Sequence, residues 1–227
     1  MKLILFDCDG TIVDSQHIIV AAMERAFAGA GLPPPERNLV LSVVGLSLVP
    51  AVTRLLPEPA DPALARLLAE AYKLSFQGLR RDPAHHEPLY PGARETIAAL
   101  AAREDCILGV ATGKSRRGVD VLFEREQLNG LFATIQTADD HPSKPHPSMI
   151  QKALAETGTE AASAVMIGDT TYDMEMARSA GVAALGVEWG YHDSASLTAG
   201  GARLVIRSYS ELPGAIDTIL AGRGKAA

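Results

Sequence analysis

Apolar and polar positions change texture twice along the chain. Residues 2–6 (KLILF) make an apolar run too short for a helix, closed at once by Asp7, Asp9 and the turn-forming pair Gly10-Thr11, and this predicts a strand buried on both faces. The spacing then becomes helical: Ile18, Ile19, Ala22, Met23, Ala26 and Phe27 share one face, with Asp14 or Ser15 where an N-cap belongs. Helices are expected over 38–44 and 48–56, and a longer one opens at Asp61 as N-cap with Pro62 in its first turn. No strand pattern occurs between Asp14 and Pro88, and prolines at 57, 59, 62, 83, 88 and 91 punctuate the segment and its exit. From Tyr90 onward helix and apolar strand alternate. Strands are predicted at 107–111, 131–135, 164–167, 183–187 and 204–206, and helices at 93–102, after the Thr112-Gly113 turn through Phe123, at 146–157, 171–180 (stopped by Gly181) and 211–220.

Alternation of this kind predicts a parallel sheet with helices on both faces. The first strand can find parallel neighbours only after residue 105, so the helical stretch is an insertion between that strand and the rest of its sheet. The fold class expected is therefore α/β: a Rossmann-like, doubly wound parallel sheet core with an inserted all-helical cap domain. The core takes residues 1–14 and 89–227 and the cap takes 15–88, hung beside the carboxyl ends of the strands. Only the last few residues read as frayed.

Composition narrows the partners. Of 227 residues, 47% are hydrophobic and 21% charged, which is ordinary for a globular protein. A formal charge of −6 without blocks of like charge speaks against a sequence-independent grip on nucleic acid. The most apolar run, 39–52, is broken by Ser42, Gly45, Ser47 and Pro50, so neither a membrane span nor a signal peptide is expected. Cys8 and Cys106 lack a second pair for a zinc site or a disulfide framework, which fits a cytoplasmic setting, and Cys8 reads as a small core residue.

Asp7 and Asp9 sit where a parallel strand ends, the edge at which open α/β sheets bind ligands. Alternation along an extended segment points both to one side. Two like charges so close call for a cation or a shared proton, although the same residues also suit a plain strand-to-turn transition, and the two alone leave both readings open. Further strand ends bring Thr112-Gly113, a hydroxyl and a flexible amide suited to a phosphate or carboxylate oxygen, and Asp169 and Asp173 in GDTTYD, while a loop beyond the strand at 131–135 presents Lys144 in SKPHP.

DxDGTxxDS at 7–15, Thr112 after an apolar strand, Lys144 in KPHP and GDxxxD at 168–173 resemble, in order and spacing, the four motifs of the haloacid dehalogenase superfamily. The helical insert resembles its helical cap class, and VGLSL and YPG resemble its phosphoglycolate phosphatase-like branch. The resemblance implies a Mg²⁺-dependent phosphatase that hydrolyses a small phosphorylated metabolite, phosphoglycolate-like, through an aspartyl-phosphate. Asp7 would be the nucleophile, and Asp9 the acid that protonates the leaving alkoxide and the base that activates water. Thr112 and the Gly113 amide would hold the phosphoryl oxygens, with Lys144 fixing Asp7 and neutralising the same group. Mg²⁺ would be held by Asp7, the Asp9 backbone carbonyl and Asp169, with Asp173 either a ligand or one step behind.

Departures from the pattern sort the branches. Dehalogenases and phosphonate-cleaving members lack the second acid that Asp9 supplies, and the sugar-phosphate mutases usually carry arginine where Gly45-Leu46-Ser47 is followed by Leu48. The alternatives carried forward are a β-phosphoglucomutase-like mutase or an inorganic pyrophosphatase on the same fold, and an inactive phosphate-binding module; the chain is expected to be a monomer or homodimer. GVATGKS at 109–115 has three residues between its glycines where a Walker loop needs four. Lys114, Arg116 and Arg117 are expected on a helix exterior, Asp139 and Asp140 in a solvated loop, Asp14 as a helix cap, and Trp189 in packing. His141 and His146 flank Lys144 and are candidates to shape the entrance, whereas His17 and His192 have no evident partner and His85 and His86 fall in the linker leaving the cap.

Overall fold

The computed structural model describes residues 1–222. β1 (Lys2–Phe6) runs into a tight turn and then into four helices, α1 (Gln16–Gly29), α2 (Arg37–Ser42), α3 (Leu48–Leu55) and α4 (Pro62–Leu79). The alternating part follows: α5 (Ala93–Ala101), β2 (Cys106–Ala111), α6 (Arg116–Glu126), β3 (Thr134–Gln136), α7 (Ser148–Thr157), β4 (Ala164–Gly168), α8 (Thr171–Ser179), β5 (Ala183–Val187), α9 (Ser194–Gly200), β6 (Ala202–Ile206) and α10 (Leu212–Ala221). The six strands form one parallel sheet in the order β3-β2-β1-β4-β5-β6. This is a Rossmann-like α/β core in which β1 is central, paired with β2 on one side and β4 on the other.

Alternation along β1 divides the core between the two faces of the sheet. Ile4 and Phe6 join Val110, Ile97, Phe132 and Tyr209 on one face, while Leu3 and Leu5 join Met149, Met166 and Met174 on the other. The helical insert buries its own cluster, with Met23 and Phe27 of α1 against Val52 of α3 and Leu68 of α4. Asp61 accepts the Ala63 N–H at 2.8 Å beside Pro62, so the start of α4 is capped as its sequence predicts. Among the described residues no helix is long and apolar enough to cross a membrane.

Three local expectations are corrected. β3 spans only Thr134–Gln136, because Leu131 and Phe132 reach the core from an irregular segment and the ladder with β2 begins at Gly109 opposite Thr134. α9 was not expected: its sequence, SASLTAG, has no apolar periodicity, and a single buried leucine, Leu197, and the Asp193 cap carry it. Asp14 stands one residue before the N-cap of α1 and accepts the Gln16 N–H at 3.3 Å, while Ser15, at the N-cap position, turns its hydroxyl to Asp9 instead. The expected frayed end from residue 223 lies outside the described residues.

Candidate active site

The carboxyl ends of β1, β2 and β4 bring the site together. Asp7 follows β1 directly and is buried; its Oδ1 accepts the Cys8 N–H at 2.7 Å and lies 3.1 Å from Lys144 Nζ. Its Oδ2 is buried and has no hydrogen-bond partner among the described residues. Lys144 Nζ also donates to Asp173 Oδ1 at 2.6 Å, with both side chains buried. The other oxygen of Asp173 accepts the Thr170 hydroxyl at 2.7 Å and the Thr170 N–H at 3.1 Å, in a capping box that fixes the start of α8. Asp169 accepts the Thr11 hydroxyl at 2.9 Å and the Tyr191 N–H at 2.9 Å. A Cβ on Gly10 or on Gly190 would lie 2.1 Å from the Asp169 side chain, and Gly10 also has φ +82°, so the DGT turn needs glycine there.

Carboxylate oxygens of Asp7, Asp169 and Asp173 lie within 4.8 Å of one another, all three buried. Burial and the Asp173 charge push the Asp7 carboxyl up to about 6, against the opposing pull of Lys144. Burial likewise drives Asp169 well above the carboxylate range, reinforced by Asp173 and Asp7. A divalent cation satisfies such a cluster: hard oxygens, excess negative charge and the unpartnered Asp7 Oδ2 fit Mg²⁺.

Asp9 is separate from that cluster. Its Oδ1 accepts the Ser15 hydroxyl at 2.5 Å and the Lys114 ammonium at 2.7 Å, and its Oδ2 has no hydrogen-bond partner among the described residues. The expectation for Lys114 is overturned. α6 starts only at Arg116, with Ser115 as N-cap, so Lys114 stands in the turn outside the helical register and its side chain reaches inward. There it also lies 3.4 Å from Glu87, a wholly buried acid in the linker leaving the insert, which pairs with Arg80 at 2.9 Å and with Arg125. Burial opposes the Lys114 charge, yet Asp9 and Glu87 leave its pKa raised; Glu87 is lowered although burial acts the other way, because Lys114 and Arg80 face it.

Thr112 is buried and Gly113 partly so at the end of β2. A Cβ on Gly113 would lie 2.6 Å from the Gly45 carbonyl oxygen and 2.8 Å from that of Leu46. The turn between α2 and α3 therefore rests on the strand-end turn, and only glycine permits the approach. Ser47 N–H donates to Ser143 Oγ at 2.8 Å and Tyr172 Oη donates to the Ser42 carbonyl at 2.9 Å, closing the insert onto the sheet edge. Between them lies a cavity of about 550 Å³ lined by Asp7, Asp9, Thr112, Gly113 and Lys114 on the sheet side and by residues of α1 to α4 on the other.

Sequence reasoning missed Glu87, Thr11 and Tyr191. It placed Trp189 in packing, where it is: Trp189 stacks near Tyr209, and both donate to the Thr11 carbonyl, holding the turn after Asp9. His141 does not shape the entrance, since its ring nitrogens bond Ser148 and Gln136 beside β3, outside the cavity lining. His146 accepts the Ser148 N–H and is likewise outside the lining, while His192 has partners after all in the Thr171 N–H and the Ser42 carbonyl. Asp139 lies exposed in a loop, as expected, and accepts the Arg116 N–H at 2.8 Å.

Residues 4–187 match the haloacid dehalogenase-like hydrolase family. The chain belongs to that family. Within the haloacid dehalogenase-like hydrolases it is phosphoglycolate phosphatase-like, an enzyme of the phosphoric monoester hydrolase class. It is 34% identical to "Probable phosphatase IndB" of Dickeya dadantii, over 96% of this chain and 94% of that protein. It is 32% identical to a phosphoglycolate phosphatase of Chromobacterium violaceum, over 93% and 95% of the two chains. Among solved structures, a hydrolase from Pseudomonas syringae superposes with a TM-score of 0.84 at 25% identity, covering 96% of this chain and 99% of that one.

Proposed function

We propose that this hydrolase is a Mg²⁺-dependent phosphomonoesterase that cleaves a small phosphorylated metabolite through an aspartyl-phosphate on Asp7. The observation that carries the reading is the buried Asp7, with one oxygen fixed by Lys144 and the Cys8 N–H and the other unpartnered at the edge of the cavity. The cap is residues 15–88 and the core residues 1–14 and 89–227, and the cytoplasm suits two unpaired cysteines.

A carboxylate oxygen of Asp7 attacks phosphorus in line, and the ester P–O bond breaks as Asp9 gives its proton to the departing alkoxide. Ser15 and Lys114 both hold Asp9 by Oδ1, which leaves Oδ2 to carry that proton. Water then attacks phosphorus, Asp9 takes its proton, and the Asp7–phosphorus bond opens to release phosphate. Thr112 and the Gly113 N–H hold the non-bridging oxygens, and Lys144 offsets negative charge at Asp7. Asp7, Asp169 and the Asp9 backbone carbonyl would hold Mg²⁺; both oxygens of Asp173 are taken by Lys144 and Thr170, which suits a residue that orients the set. When bound, the ion supplies positive charge between the Asp7 carboxylate and the anionic phosphoryl group, without which the two repel.

A panel of phosphate esters assayed with and without Mg²⁺, beside Asp7→Asn, tests this. Release of phosphate that requires Mg²⁺ and vanishes in the variant is the expected result; turnover without metal, or full activity in Asp7→Asn, would overturn it, and a strong preference for isomerising glucose 1-phosphate would indicate the mutase.

A further inference from the structure

The wall of the cavity facing Asp7 and Asp9 is mainly apolar, with Ser47, Lys73, Gln77 and Arg80 as its polar members. Met23, Val40, Val44, Leu48, Tyr72 and Phe76, from all four helices of the insert or their junctions, line it. A volume of about 550 Å³ falls within the roughly 300–1,000 Å³ of sites that enclose ligands of drug size, far more than a two-carbon alcohol fills.

All but one of the cations of the lining are already matched among the described residues. Lys114 is neutralised between Asp9 and Glu87, and Arg80 pairs with Glu87 while lying over the Phe76 ring, 4.9 Å from its centroid. Lys73 pairs with Glu70 at the exposed face of α4. Arg117, exposed in the first turn of α6, is the one lining cation without an ion pair among the described residues, and it stands on the solvent side. A carboxylate carried one carbon from the ester oxygen would thus be desolvated near Asp9 with no unpaired cation beside it, an arrangement that electrostatics disfavours. An uncharged apolar body would instead displace water from the Met23–Leu48–Tyr72 wall.

We infer that the preferred substrate is a phosphate monoester of an alcohol with an uncharged, ring-sized body, selected by the apolar wall of the insert, rather than phosphoglycolate. The inference rests on the phosphomonoesterase reading. Half-buried Leu48, in the first turn of α3, is the position at which specificity would turn.

The test compares kcat/KM for benzyl phosphate and phosphoglycolate with Mg²⁺ present; both are esters of alkyl alcohols, so neither has the easy departure of a phenol. The intact protein is expected to favour benzyl phosphate at least tenfold. Leu48→Arg, which brings a cation to the wall, is expected to move that ratio at least tenfold toward phosphoglycolate, and Leu48→Gln, polar but neutral, to move it much less. Preference of the unaltered protein for phosphoglycolate overturns the inference and leaves the phosphatase reading standing, and this comparison needs no variant to fold. A ratio that moves no further in Leu48→Arg than in Leu48→Gln also overturns it. Hydrolysis of neither ester removes the phosphatase reading and the inference with it.

Discussion

Lys144→Met removes the one ammonium among the described residues that contacts both Asp7 and Asp173 while keeping the length of the side chain. In the parent, Nζ lies 3.1 Å from Asp7 Oδ1 and 2.6 Å from Asp173 Oδ1, with all three side chains at most 1% exposed. Removing one partner of a buried pair costs about 3–5 kcal/mol, because a charge stays behind without compensation. Here three acids stay behind. With EDTA present at pH 7.5, the variant is expected to lose that amount, which for a chain of this size lowers Tm by ~6–20 °C. The pH dependence follows from the raised carboxyls. Asp7, pushed up to about 6 by burial, and Asp169, raised further by its neighbours, bind more protons folded than unfolded between the usual carboxylate pKa and their own. Stability from these groups therefore falls as pH rises through that window, and loss of Lys144 steepens the fall. The deficit of Lys144→Met relative to the parent should be largest above pH 6 and shrink toward pH 5, where protons replace the missing cation. Urea melts of both proteins at pH 7.5 and 5.0 measure it. A deficit under about 1 kcal/mol at pH 7.5, or one that grows on acidification, would refute the reasoning.

Three further outcomes are expected. Gly113→Ala forces the α2–α3 turn back from a 2.6 Å approach, and kcat/KM should fall at least ~10-fold with a small change in Tm, because displacements near 1 Å can cost about 10²-fold in rate. Glu87→Gln leaves Lys114, Arg80 and Arg125 without their shared anion and should cost ~3 kcal/mol in a chemical melt; an unchanged midpoint would show that the linker acid holds nothing together. Adding Mg²⁺ at one hundred times its Kd should stabilise by about 2.7 kcal/mol. Calorimetry should show that shift at pH 7.5 and a smaller one at pH 5.0, since protons on Asp7 and Asp169 compete with the ion.

Much of the site was legible because chemistry at the edge of a parallel sheet is written at strand ends. Phe6-Asp7, Ala111-Thr112 and Gly168-Asp169 each mark a strand meeting its loop, and pairing of β1 with β2 and β4 brings the three together. Lys144 was legible less directly, as a lysine presented by the loop beyond a strand rather than at the strand end itself. Lys114 was misplaced for a definite reason. GKSRR looks like the exposed first turn of a helix, and whether α6 begins at 114 or 116 decides if that lysine faces solvent or Asp9. Boundaries of one or two residues are what sequence patterns fix least. Glu87 was invisible because its partners Lys114 and Arg125 lie 27 and 38 residues away along the chain. β3 was displaced by three residues because burial of Leu131 and Phe132 does not require them to be in the ladder.

The central claim is that Asp7 becomes covalently phosphorylated. Acid quenching during turnover, followed by proteolysis and mass spectrometry of the peptide that contains Asp7, tests it most directly. The account predicts one phosphoryl group on Asp7, formed only with Mg²⁺ present and absent from Asp7→Asn. Steady turnover with an unmodified Asp7 peptide, or with the phosphoryl group on another residue, would contradict it.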